Sequence, residues 1–174
     1  MLFKRVLIVI LLLVLSLPMA VLAQDAEEDS AILFIGTVTG TPDEFVGLAV
    51  DGENVTFYIC DGRPEENLVS IAQWFVGTLA GDTIDITAAN GNRVQIIVTV
   101  DAAIGTLTFT DGTTKEFVMT LAEDEAALYR SDFAFGEVEY VGGWLVLADG
   151  TVRGAVFQKG TEELVPATLV GPGL

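Results

Sequence analysis

The chain lacks histidine entirely and contains one cysteine, Cys60, among its 174 residues. Catalysis by Ser-His-Asp or Cys-His sets needs an imidazole that takes the proton of the nucleophile, so these enzyme classes are excluded. Zinc sites built from histidine or from several cysteines are excluded because the chain has no histidine and only one cysteine. A single cysteine also excludes a disulfide within the chain, so the fold must depend on its hydrophobic core.

Basic residues are scarce: eight Lys and Arg stand against 25 Asp and Glu, and the formal net charge is −17. Nucleic acids and anionic lipids bind clusters of Lys and Arg, so neither is an expected partner. No phosphate-binding loop of the P-loop type and no dinucleotide fingerprint is present. We therefore expect no cofactor.

The first 23 residues have the three zones of a secretory signal peptide. Lys4 and Arg5 give a positive start, and an apolar run follows over residues 6–17. Ala23 supplies the small residue that precedes a cleavage site. The apolar run is shorter than the roughly 20 residues that span a bilayer, which favours cleavage over an uncleaved anchor. We expect an extracytoplasmic protein, secreted or in the cell envelope, that is not held in the membrane after cleavage.

The remaining chain reads as one domain, because no Pro-rich or Ser-rich linker divides it. Residues 24–30 are acidic with little to bury, and we expect a flexible lead-in there. Residues 31–165 form the predicted β domain, and residues 166–174 a C-terminal tail.

Four Asp-Gly or Asn-Gly dipeptides lie between β-rich runs, which is a strong short-range signal for β-hairpins. They are Asp51-Gly52, Asn90-Gly91, Asp111-Gly112 and Asp149-Gly150. Apolar and polar residues alternate along the flanking runs, as is typical of antiparallel strands with one buried face. One predicted buried row consists of Val94, Ile96, Val98 and Val100.

About ten short strands in sequential hairpins predict an all-β fold in the form of a single antiparallel barrel-like domain. A two-sheet β-sandwich is the alternative. One segment departs from the β pattern. Over residues 64–75, Pro64 at the start, acidic residues after it and apolar residues at helical spacing predict a short helix.

A short pattern recurs in three predicted strands, where an apolar residue is followed by Gly-Thr and a second apolar residue. The glycines are Gly36, Gly77 and Gly105. A glycine inside a strand often marks a bulge or a bend at the corner of a barrel. Because the spacing is unequal, the pattern indicates a hairpin unit reused in one sheet and not a solenoid or propeller repeat.

Four aromatic residues are candidate ligand-binding residues, because an exposed ring can stack on a sugar or an apolar ligand. They are Tyr58, Trp74, Tyr140 and Trp144. The competing interpretation for both tryptophans is an ordinary place in the hydrophobic core. The acidic runs match no calcium-binding loop, so we predict no metal ligand, and no catalytic residue can be named.

The sequence therefore predicts a non-catalytic domain that binds a small ligand or an extracellular partner. Two alternatives stay open. One is a structural protein of the cell envelope without a pocket. The other is a carboxylate-based hydrolase such as a glycosidase, which needs only two acids in a cleft.

Overall fold

The computed structural model describes residues 31–161 and 163–169. The predicted signal peptide, the acidic lead-in and residues 170–174 of the predicted tail lie outside the described residues. Eight consecutive strands close into an antiparallel barrel. They are β1 (Ile32–Val38), β2 (Thr41–Asp51), β3 (Asn54–Cys60), β4 (Ala72–Ala80), β5 (Thr83–Thr87), β6 (Arg93–Val98), β7 (Ala102–Thr108) and β8 (Thr114–Leu121).

Four further strands form a second antiparallel sheet in the order β12-β11-β10-β9. They are β9 (Ala127–Phe135), β10 (Val138–Val146), β11 (Val152–Gln158) and β12 (Leu164–Pro166). The prediction of an all-β, barrel-like domain is confirmed, and the structure adds a second, smaller sheet beside the barrel. Among the described residues, no helix is long and apolar enough to cross a membrane.

The predicted helix over residues 64–75 is wrong. Only Pro64–Glu66 is helical, as a single 3₁₀ turn, and Asn67 ends it in the left-handed conformation (φ 53°). The Asp61 carboxylate then accepts the backbone N–H groups of Ser70, at 2.8 Å, and Ile71, at 2.9 Å. These bonds hold the chain extended as it enters β4. Pairing with β3 overrides the helical spacing, because the barrel needs this strand to close.

Side chains from alternate strand positions fill the barrel. The Phe57 ring lies at 4.9 Å, centroid to centroid, from that of Phe117 and at 5.8 Å from that of Phe75. Leu48 and Ile84 are buried in the same cluster. The interior of the barrel is therefore a packed core, as expected for eight strands.

The four predicted hairpins are confirmed. Each dipeptide lies in a turn between consecutive strands, and its glycine has a positive φ, as the turn requires. In three of the turns the Asp or Asn side chain also accepts the backbone N–H two residues later. Asp111, for example, accepts the N–H of Thr113 at 2.9 Å.

The predicted buried row along β6 is confirmed at Val94 and Ile96, which are buried. It is wrong at Val100, which is 92% exposed. The strand ends at Val98, so Val100 lies in the turn to β7 and the alternation no longer applies.

The second sheet packs against the outside of the barrel over β1 to β4. The buried side chains at this contact are Ile35, Phe45, Tyr58, Cys60, Leu145 and Ala155. At its margin the Arg153 guanidinium stands 4.9 Å from the centroid of the Phe45 ring and donates to the Asp43 carboxylate at 2.9 Å. The contact fixes which face of the second sheet is buried and which is open.

The three Gly-Thr glycines all lie in barrel strands, so the pattern does belong to one sheet. At Gly36 in β1, an added Cβ would meet the carbonyl oxygen of Val118 and lie 2.8 Å from the Cα of Met119. Both atoms belong to the backbone of β8, which cannot move away without breaking the pairing that closes the barrel.

We predict that Gly36→Ala destabilises the fold by about 3 kcal/mol, at the upper end of the cost of overpacking, because backbone must shift. Gly112→Ala is the matched control, since its Cβ meets nothing and only its positive φ is strained. It should cost about 1–2 kcal/mol. Urea unfolding measures both, and an equal or smaller loss for Gly36→Ala would contradict the β1–β8 contact.

Candidate binding surface

The second sheet turns one face to the barrel and the other away from it. The open face is identified by the cross-strand pairs Tyr129–Trp144 and Phe133–Tyr140, and it continues to Val156 of β11. The strand residues on this face include no Asp, Glu, Lys or Arg. We call it the aromatic face, after its rings Tyr129, Phe133, Phe135, Tyr140 and Trp144.

Trp144 is fixed in place by two glycines and a hydrogen bond. Its six-membered ring lies over Gly142, and its five-membered ring lies over Gly154, so the indole is flat against the sheet. The indole N–H donates to the carbonyl oxygen of Ala167 at 3.0 Å. The ring therefore shields the backbone of two strands from water, and Trp144 is less free to move than a fully exposed ring.

The other rings of the aromatic face are exposed or stacked on one another. Phe133 and Tyr140 stack on each other, with centroids 5.4 Å apart and planes 17° apart. Tyr129 is 46% exposed, Phe133 44% and Phe135 82%. Because contiguous exposed apolar patches are often interaction sites in other proteins, this face is a candidate binding surface.

Tyr58 and Trp74 lie on the opposite side of the second sheet, where it contacts the barrel. Tyr58 is fully buried, and its ring stacks on that of Trp74 at 4.2 Å. The Tyr58 hydroxyl donates to the carbonyl oxygen of Gly143 at 3.2 Å. The Arg130 guanidinium lies 5.0 Å from the centroid of the Trp74 ring. These contacts attach β9 and β10 to the barrel.

The structure thus divides the four sequence-predicted residues into two pairs. Tyr140 and Trp144 lie together on the aromatic face, whereas Tyr58 and Trp74 lie beneath the sheet. That they contact a ligand stays a prediction. Sequence reasoning missed Tyr129, Phe133 and Phe135, although the alternation of aromatic with charged or small residues along β9 could have indicated a strand with an aromatic face.

A cleft of about 560 Å³ lies between one end of the barrel and the second sheet. Its apolar lining includes Trp74, Phe109 and Phe157. Its amide groups bond mainly to each other: Asn92 Nδ2 donates to Gln73 Oε1 at 2.8 Å, and Asn92 Oδ1 accepts the N–H of Thr110 at 3.2 Å. The network ties three barrel segments together, which favours a structural role for these amides.

Four aspartates are unsuited to the role of the catalytic acid in a glycosidase. A glycosidase needs an acid whose pKa is raised, so that it is protonated when it acts. Hydrogen bonds from Arg93 lower the pKa of Asp85, and hydrogen bonds from Arg130 lower that of Asp132. Backbone and hydroxyl donors lower the pKa of two turn aspartates in the same way.

Cys60 is buried at the contact between the barrel and the second sheet. Burial raises the pKa of its thiol to about 11. The N–H of Gly62 donates to the sulfur at 3.2 Å and opposes that shift only in part. The arrangement is that of an unreactive thiol and not of a nucleophile.

Comparison with protein-family models, curated proteins and solved structures finds no match to this chain. Its function must therefore be argued from its own geometry.

We predict that Cys60 reacts very slowly with a thiol reagent such as DTNB at pH 8 in the folded protein. With a pKa of about 11, roughly one thiol in a thousand is ionised at that pH. In denaturant the same thiol should react within minutes. Rapid, stoichiometric labelling of the folded chain would show that the second sheet does not cover this position.

Proposed function

We propose that this protein is an exported, non-catalytic binding domain that holds an extracellular protein partner against its aromatic face. The observation that carries the proposal is an uncharged sheet face rich in half-exposed rings, on a chain in which 25 residues are acidic.

The composition of the face favours a protein partner. The centres of protein–protein interfaces are enriched in Tyr, Trp and Phe and depleted of charge, and a few buried rings supply most of the binding energy. Valines from β10, β11 and β12 extend the face around the rings. The carboxylates elsewhere on the surface would attract a partner whose interface has a basic rim.

A sugar ligand fits this face less well. Sugars bind to ring faces that are open and parallel to the surface, with hydrogen-bonding groups beside them. Phe133 and Tyr140 instead stack on each other, so that one face of each ring is covered. Trp144 lies flat, but the side chains of the strand residues around it are mostly apolar. A ligand inside the barrel is disfavoured because side chains fill the barrel.

We predict that Phe133→Ser reduces partner binding at least tenfold, since truncating a central ring of an interface costs about 2 kcal/mol or more. Ile104→Ser is the matched control, because Ile104 is 54% exposed on the barrel, away from the second sheet. Both variants should fold, since each side chain is already largely exposed.

Wild-type and variant proteins would be immobilised and exposed to the native extracellular fraction, and captured proteins compared by quantitative mass spectrometry. The proposal expects a protein that is retained by wild type and by Ile104→Ser but not by Phe133→Ser. Titration of that purified protein against the purified domain should then give the same order of affinities. Equal capture by all three would contradict it. Retention on an insoluble polysaccharide that is lost with Phe133→Ser would assign the face to a sugar.

A further inference from the structure

Strand β9 is an open edge of the second sheet. Among the described residues it pairs only with β10, in an uninterrupted register from Ala127 to Phe135. Every residue from Arg130 to Phe135 is exposed. The strand has no proline and no bulge, two of the means by which an edge is kept from pairing with another chain.

The hairpin to β10 determines which backbone groups point outward. Phe135 pairs with Val138 across a two-residue turn, so it belongs to a hydrogen-bonded pair, and every second pair along the strand does too. The intervening residues, among them Arg130 and Asp132, direct their N–H and C=O groups to the open edge. They are available to form hydrogen bonds with a second strand at this edge.

The sequence on either side of Ser131 is chemically symmetric. It reads Tyr129-Arg130-Ser131-Asp132-Phe133, an aromatic residue and a charge on each side, with the two charges opposite in sign. We propose that two copies of this chain pair edge to edge, β9 antiparallel to β9 of the second copy, about a twofold axis at Ser131.

In this register Arg130 lies opposite Asp132 of the second copy, and by symmetry Asp132 lies opposite its Arg130. Tyr129 lies opposite Phe133 of the second copy, on the aromatic face. Opposite charges and aromatic pairs directly across two strands both stabilise pairing. This register also satisfies the hydrogen-bonding pattern of an antiparallel pair. Arg130 and Asp132 would form hydrogen-bonded pairs, because the backbone groups of both residues point outward.

Neighbouring registers are unfavourable. An axis at Arg130 would place Arg130 opposite Arg130 of the second copy, and an axis at Asp132 would place Asp132 opposite Asp132. Like charges directly opposite each other destabilise pairing. An axis between two residues would set outward-pointing backbone groups against inward-pointing ones. Of the registers about residues 130 to 132, the one about Ser131 is therefore the one that satisfies both charge and hydrogen bonding.

The pairing goes beyond the proposed function and does not depend on it. It would join two four-stranded sheets into one of eight strands and leave the aromatic face open on both copies. A partner would then meet a face twice as wide, or two partners could bind at once. The twofold symmetry is the commonest form of homodimer.

Charge reversal tests the register by sedimentation velocity of the purified mature protein at about 0.15 M salt. Arg130→Asp and Asp132→Arg should each weaken the dimer roughly tenfold, since each places like charges opposite at two symmetric positions. The double variant, which exchanges the two charges and loses the Arg130–Trp74 contact just as Arg130→Asp does, should dimerise more tightly than either single variant. If only overall repulsion mattered, Asp132→Arg would strengthen the dimer, because it makes the chain less acidic.

A cysteine at the axis gives a second, independent test. Ser131→Cys would face its own copy in a pair that is not hydrogen-bonded, with Cα atoms about 4.5 Å apart, within the range that a disulfide spans. Mild oxidation should give a covalent dimer at least tenfold faster than Ile104→Cys, an exposed thiol on the barrel. A chain that stays monomeric at its highest soluble concentration, or equal cross-linking of the two cysteine variants, would overturn the proposal. Partner capture by a monomeric chain would leave the proposed function standing.

Discussion

The stack of Tyr58 on Trp74 beneath Gly143 is the contact on which the arrangement of the two sheets depends. The rings lie 4.2 Å apart on the outer wall of the barrel, and Gly143 of β10 lies directly over them. A Cβ on Gly143 would enter the rings, so only glycine allows β10 to come this close. The Tyr58 hydroxyl and the Arg130 guanidinium complete the attachment. Because this face of the second sheet is used for packing, the other must be open.

The two faces of the second sheet thus make two kinds of aromatic contact. Beneath the sheet, rings belong to the barrel and the sheet contributes glycine. On the aromatic face, Trp144 covers Gly142 and Gly154, and the remaining rings make no contact with the barrel. These rings contribute nothing to the core, and exposed apolar surface favours aggregation. The strong net negative charge of the chain opposes such aggregation, because copies of the chain repel one another.

Local signals in the sequence predict the barrel well. The Asp-Gly and Asn-Gly dipeptides mark real hairpins, and alternation along β5 and β6 identifies buried positions such as Ile84 and Ile96. Long-range contacts are not readable in the same way. The helical spacing over residues 64–75 is overridden by pairing with β3, and Tyr58 and Trp74 are brought together by that pairing alone. Which of two apolar faces would be covered depends on a sheet far along the chain, so sequence alone could not separate Trp74 from Trp144.

Hydroxyl-radical footprinting of the isolated protein tests this arrangement most directly, because it reports the solvent access of each ring. The account predicts rapid oxidation of Phe135, Phe133 and Tyr129, slower oxidation of Trp144, and strong protection of Tyr58, which is fully buried. Oxidation of Tyr58 as fast as that of Phe135, or protection of the whole aromatic face, would contradict it. The first result would mean that the second sheet does not lie on the barrel, and the second that its outer face is already covered.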